Sequence, residues 1–438
     1  MNMNMNMNVN VNAIAIEDDR QGLSNERLKE NLMSSIRGKN LRKVLLIPPD
    51  ITRANSGAGL ITAMYYDMLC DAHVDILPAL GTHAPMTRAE QTAFFGKNIP
   101  AGRFLVHRWR DGVTKIGEVP GAFVREVSEG LMDEPMDVEV SDYLLDPSYD
   151  LILSIGQVVP HEVVGMANYT KNIVVGCGGS RFINCSHMLG AFYGMERIMG
   201  KDHSPVRKVF DYAEEHFLSK LPLEYVLTVT VSKGEKTGIA GLYIGGGRGA
   251  FERAVALSRK LNLNYVDEPL ETCVVWLDER EFHSTWLGNK AIYRTRMAMA
   301  DGGRLIILAP GVKTFGEDAE NDRLIRKYGY IGRENILRLI KTEPDLQNNL
   351  SAAAHLIHGS SDGRFGITYA ALKLSKEEVE GAGFEYMPFD EAIRLFDPKT
   401  MKQGYNTLPC GEEVFFVENP ALGLWTTKER ISGGNSVL

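Results

Sequence analysis

Short uninterrupted apolar runs alternate with longer amphipathic stretches along most of this chain. VLLIP at 44–48, VDILPAL at 74–80 and LILSI at 151–155 read as buried strands, each handing over to loop residues. Between the first two, LITAMYYDMLCDAH at 60–73 repeats its apolar positions at helical spacing. Strand, loop, helix, strand is the order of a parallel α/β sheet, whose ligand sites collect at the carboxyl ends of the strands. A second series opens with a strongly amphipathic helix at 250–263 and the turn-like NYVDEP. Strands are predicted after it at 273–277 (CVVWL), 304–309 (RLIILA) and 354–357 (AHLI). The pattern predicts an α/β protein of two α/β domains with mainly parallel sheets, 13–268 and 269–438, and it shows no regular internal repeat.

A length of 438 residues suits two or three cores at about 150 residues each. Hydrophobic residues at 44% and charged residues at 24% are ordinary globular values. A net charge of -8 with no Lys/Arg-rich run argues against nucleic acid as a partner. Cys70, Cys177, Cys185, Cys273 and Cys410 are scattered and odd in number. They form neither a disulfide framework nor a CxxC zinc pattern, which points to a reducing cytoplasm. No apolar stretch approaches the ~18 residues of a membrane span and no leader pattern opens the chain, so a soluble cytoplasmic protein is expected. The repetitive MNMNMNMNVNVN at 1–12 reads as a disordered low-complexity tail.

Three loops after predicted strands carry the polar chemistry. In VLLIPPDITRANSG, Asp50, Ile51, Thr52 and Arg53 follow the strand end, and a guanidinium there could grip a carboxylate or phosphate. In LPALGTHAPMT, Gly81 permits a sharp turn and His83 follows. The third, VVPHEVVGMANYTKNIVVGCGGSRFINCSH, sets His161, Lys171 and His187 in apolar, glycine-rich surroundings. Taken singly, each has a plain alternative: a hydrogen-bonded loop histidine, a capping threonine, a lysine reaching to solvent. Neighbouring parallel strands would bring the loops together, and two histidines would then form an acid/base pair near neutral pH.

PDITR, ALGTH, and VVPH followed by a lysine ten residues on and a histidine 26 residues on resemble the lactate racemase family, the nickel-pincer-nucleotide racemases and epimerases of 2-hydroxy acids. The resemblance extends over most of the chain. It implies that 13–268 binds the cofactor and carries the catalytic groups, while 269–438 closes the substrate site at the domain interface. It implies hydride transfer to a pyridinium mononucleotide whose two thiocarbonyl sulfurs and a ring carbon grip nickel in one plane, a geometry that suits Ni(II). On this mapping His83 and His161 are the two bases, one for each enantiomer, and His187 is the nickel ligand. Asp50, Ile51, Thr52 and Arg53 form the nucleotide loop, with Arg53 also near the substrate. Lys171 matches a lysine that some members join to a cofactor thiocarboxylate. FHSTWLGNKAIYR resembles the segment that supplies a lysine for the substrate carboxylate, here Lys290. The implied partners are a small hydroxy acid and the cofactor-synthesis enzymes, with no nucleic acid and no membrane.

The chain departs from the family's pattern in two places. GMANYT stands where lactate racemases carry a Phe-Ser-Gly-Gly-like run, which leaves open both a cofactor tethered to Lys171 and one only paired with it. Leu287 stands where they carry a substrate-contacting Gln, which turns the expectation from lactate to a larger polar hydroxy acid or a sugar acid. Asn168, Tyr169, Arg181 and Asn184 are candidate donors to it. The glycine-rich YIGGGRGAFERA (243–254) half matches a dinucleotide fingerprint and supports a rival, an NAD-dependent hydroxy acid dehydrogenase. A helix-opening turn accounts for it better. A third possibility is a non-catalytic nickel or nucleotide binding protein. His355 and His358 are read as a strand end or cap, and Cys177 and Cys185 as buried thiols.

Overall fold

A computed structural model describes residues 13–233 and 236–432, so the low-complexity opening lies outside the described residues. The chain divides into two compact units. One takes the residues through Ser186 together with Lys201–Leu261; the other takes His187–Gly200 and Asn262 onward.

The first unit is built on six strands: β1 (Ile14–Glu17), β2 (Lys43–Ile47), β3 (His73–Ile76), β4 (Leu151–Gln157), β5 (Leu223–Lys233) and β6 (Lys236–Gly245). Their order is β1-β6-β5-β4-β2-β3. The run from β5 through β4 and β2 to β3 is parallel, and β6 and β1 add antiparallel at the far edge. The uninterrupted apolar sequences of β2 and β4 follow from their position. Val44 to Ile47 and Leu151 to Gly156 are buried on both faces, as inner parallel strands require. A helix at Ala58–Met68 crosses from β2 to β3, as the spacing of 60–73 predicts.

The second unit carries β7 (Leu270–Trp276), β8 (Met299–Ala309), β9 (Gly366–Ala371), β10 (Glu385–Tyr386), β11 (Gly404–Thr407) and β12 (Glu413–Val417). Their order is β10-β9-β8-β7-β12-β11, parallel throughout except for edge strand β11. The α/β class with mainly parallel sheets therefore holds.

One expected strand is a helix. Residues 354–357 lie inside Leu350–His358, capped by the Asn349 side chain, and the strand that pairs with β8 is β9. Ala352 through His358 are all buried, so no polar face interrupts the apolar run. A short apolar run without alternation cannot by itself separate a buried helix from a buried strand. His355 and His358 are thus helical. Tyr293 and Tyr330 occupy the two ring nitrogens of His355, each at 2.9 Å.

Candidate active site

In the first unit the loops leaving β2, β3 and β4 emerge at the same edge because those strands run parallel. Backbone contacts hold the three together beyond the strands. Pro49 bridges to Ala79, and Gly81 N–H donates to the Gly176 carbonyl at 2.8 Å. Buried Asn172 donates to the Ile47 carbonyl and to Ser154 Oγ, both at 3.0 Å, fastening the Lys171 helix to the ends of β2 and β4. Gly176 is a close-approach glycine: a Cβ there would lie 2.4 Å from the Asn172 carbonyl oxygen and 2.7 Å from Ala79 Cβ.

Asp50 caps the short 3-10 helix Ile51–Ser56, which Ile51 opens. Its Oδ1 accepts from Thr52 N–H at 3.1 Å and Thr52 Oγ1 at 2.5 Å, while Oδ2 meets Nδ1 of His83 at 2.6 Å. Burial alone would raise the Asp50 pKa. The His83 hydrogen bond and charge, then Thr52 and Arg53, outweigh it and hold the carboxyl below its ordinary value. The carboxylate is 6% exposed while the His83 side chain is 54% exposed, an anchored base offered outward.

The Arg53 backbone N–H donates to the Asp50 carbonyl at 3.1 Å, while its guanidinium makes no hydrogen bond or close ion pair among the described residues and acts on Asp50 and Lys171 through its charge. Lys171 keeps some accessible surface on the helix Thr170–Val174. Enough protein surrounds it that desolvation, and next the positive charge of Arg53, draws its pKa down to about 8. A guanidinium without a carboxylate, a like-charged amine beside it and the buried, unpartnered Thr170 Oγ1 are features that an anionic group would satisfy.

His161 lies in a tight hairpin, Pro160–His161 against Gly165–Met166, and is buried. Its Nδ1 accepts from Val163 N–H at 3.1 Å, with the Glu162 carboxylate 3.8 Å away. The turn between this hairpin and Lys171 contains Asn168 and Tyr169 at φ 63° and 57°, a left-handed conformation that costs free energy for residues with a Cβ. Arg207, fully buried on the helix Pro205–His216, anchors it by donating from Nη2 to the carbonyls of Met166 at 2.7 Å and Asn168 at 3.2 Å. Burial draws the Arg207 pKa down to about 10, against the opposing charge of Asp211. The Tyr169 ring stacks on Phe251 with centroids 5.1 Å apart.

Sequence reasoning missed Arg207, Asn172 and the pairing of Asp50 with His83. Arg207 and Asn172 left no local signal beyond a polar residue in an apolar setting. Asp50 and His83 are separated by 33 residues, and only strand adjacency joins them. Of the four donors expected for a polar substrate, three are engaged. Asn168 Oδ1 accepts from Tyr169 N–H, Tyr169 is in the core, and Arg181 pairs with Asp137 at 3.1 Å. Arg248 of the glycine-rich turn is likewise bound to Asp211, and to Glu252 at 3.0 Å. Cys177 and Cys185 are buried thiols.

His187 and Lys290 belong to the second unit. His187 sits half-buried on the helix Ser180–Tyr193. Lys290, also half-buried, opens the helix Lys290–Thr295 with Nζ 5.5 Å from the Phe282 ring centroid. Among the described residues no group of three or more His, Cys, Asp or Glu is placed to hold a metal.

Residues 16–198 match the family model of the lactate racemase N-terminal domain. Over that span, this chain is similar to the lactate racemase family. Two solved structures extend the likeness of fold to the rest. A crystal structure of a Thermotoga maritima protein is 25% identical with a TM-score of 0.78, covering 94% of this chain and 100% of that one. The lactate racemase apoprotein from Thermoanaerobacterium thermosaccharolyticum is 16% identical with a TM-score of 0.66, covering 92% of this chain and 90% of that one. No curated protein matches. Among the described residues no helix is long and apolar enough to cross a membrane.

Proposed function

We propose that this protein is a racemase or epimerase of a 2-hydroxy acid, larger and more polar than lactate, with His83 and His161 as its acid/base pair. The match of residues 16–198 to the lactate racemase N-terminal domain supports a racemase-like isomerase. The observation that carries the finer reading is the Asp50–His83 pair at 2.6 Å, set on adjoining strand-end loops.

A nickel-pincer nucleotide, when bound, supplies the site that takes a hydride from C2 and returns it. His187 would be its protein ligand to nickel. Arg53, with Thr52 beside it, would hold an anionic part of the nucleotide. Lys171 would pair with a thiocarboxylate, or be joined to it as a thioamide with loss of water. An amine with a pKa of about 8 is mostly charged at physiological pH yet has an appreciable neutral fraction, which suits either role. His83 takes the substrate hydroxyl proton at Nε2, because Nδ1 is committed to Asp50. The Asp50 carboxylate stabilises the imidazolium that results. In this reading Lys290 binds the substrate carboxylate.

The test is intact mass and nickel content of the full chain produced alongside cofactor-synthesis enzymes. Stoichiometric nickel with added mass on Lys171 supports the tethered form. Nickel with unmodified polypeptide mass supports a non-covalent cofactor. Neither nickel nor nucleotide overturns the proposal.

A further inference from the structure

His187–Gly200 is a short stretch of the second unit whose chain enters from the first unit and returns to it at Lys201. Connectivity therefore does nothing to keep it with the second unit; contacts must. Met188, Ala191, Met195 and Met199 supply part of the hold, sharing a hydrophobic core with Ala291, Ile292 and Met297. Apolar burial is non-directional, so it fixes which unit the stretch joins better than the angle at which it sits.

The directional contact is Glu196, on the short helix Met195–Ile198 that follows Gly194. One carboxylate oxygen accepts from Arg296 Nε and from Arg364 Nη2, each at 3.1 Å. The other pairs with Arg430 Nη1 at 3.5 Å. Burial alone would raise the Glu196 pKa, but the charges of Arg296 and Arg364 outweigh it and hold the carboxyl below its ordinary value. Arg296 caps the C-terminal end of the helix Lys290–Thr295. Its side chain is 7% exposed and is also held elsewhere, donating to the Ser360 carbonyl at 3.0 Å with Asp362 3.6 Å away. Arg364 donates to the carbonyls of Arg296 and Met299. Both arginines are thus fixed by groups other than Glu196, and the carboxylate docks into a socket that is already built.

We infer that Glu196 is a positioning residue for the site, locking the stretch that carries His187 to the helix that carries Lys290. The inference rests on the reading above, in which His187 meets nickel and Lys290 meets the substrate carboxylate. Groups with such roles must stay within about 0.5 Å of their productive geometry. A carboxylate shared between two anchored guanidinium groups supplies that constraint, and Glu196 acts only through the two segments it joins.

The test compares the full chain with Glu196→Gln, which keeps the size of the side chain and removes its charge. Arg430→Gln is the control, because Arg430 is the most distant of the three partners. In the apoprotein, hydrogen–deuterium exchange across 187–200 should quicken in Glu196→Gln by on the order of tenfold, the worth of one charge-assisted hydrogen bond. Exchange in 290–296 and in β4 should stay as in the wild type, since the socket persists. In protein loaded alongside cofactor-synthesis enzymes, nickel loss to EDTA should quicken by a similar factor. Arg430→Gln should change neither rate by more than about twofold.

Unchanged exchange across 187–200 in Glu196→Gln overturns the inference. So does a rise spread evenly over both units, which would mean general destabilisation. Faster exchange with nickel loss at the wild-type rate also overturns it, because the link would then be structural only. If the wild type takes up no nickel while Glu196→Gln still quickens exchange across 187–200, the link stands and the proposed function falls instead.

Discussion

Lys171 is held partly against its own charge. Its folded pKa of about 8 lies below the ordinary lysine value of 10.5, so between those values the folded state binds fewer protons than the unfolded chain. Stability therefore rises with pH across that window, and the full cost falls below it. Lys171→Met should stabilise the apoprotein at pH 7 by about 1 kcal/mol, allowing for solvent screening, while abolishing any covalent loading. Urea denaturation of both proteins at pH 7 and pH 10.5 checks this. A stability difference that does not shrink at the higher pH would remove desolvation as the cause. Asp50 runs the opposite way: its depressed carboxyl contributes stability above the ordinary carboxylate pKa and loses it as pH falls through the folded value. Neither effect is legible along the chain, because each depends on a charge brought close by strand order.

The turn between the His161 hairpin and Lys171 is the element on which the site depends. It is strained at Asn168 and Tyr169, and Arg207 secures it from beneath. Gly156 at the end of β4 makes room for it, since a Cβ there would lie 1.9 Å from Asn168 Nδ2. Gly156→Ala should displace the turn at a cost of about 1–3 kcal/mol, read as a lowered denaturation midpoint. Arg207→Met should cost more, about 2–4 kcal/mol, because half-buried Asp211 would lose a compensating charge and two carbonyls would lose their donor. If both variants retain wild-type midpoints, the turn is not held as described. The strands flanking this region were readable because β2 and β4 are apolar on both faces and end in turn residues. The helix at Leu350–His358 was not, because burial on every side erases the polar face that marks a helix.

At the scale of the whole molecule, each unit closes its own hydrophobic core around a mainly parallel sheet. The clusters that close them are hydrophobic side chains, whose packing calls for no metal. Stripping nickel from the loaded protein with a chelator should abolish turnover while leaving the far-UV circular dichroism unchanged. Loss of the helical signal on stripping would contradict this. The α/β class and the parallel order were legible because hydrophobic period and strand spacing report them directly. The assignment of His187–Gly200 to the second unit was not, because it depends on packing between residues far apart in sequence.

The opposite partners of the two imidazoles mean that, in the proposed reaction, the two epimers meet unequal machinery. That inequality has no hold on the final mixture. Detailed balance ties the ratio of forward to reverse kcat/KM to the equilibrium constant. A lesion at Asp50 must therefore slow both directions in proportion, and no substitution there can make a one-way enzyme. The handedness of the site can surface only in kcat and KM taken separately, whose differences between epimers must offset one another.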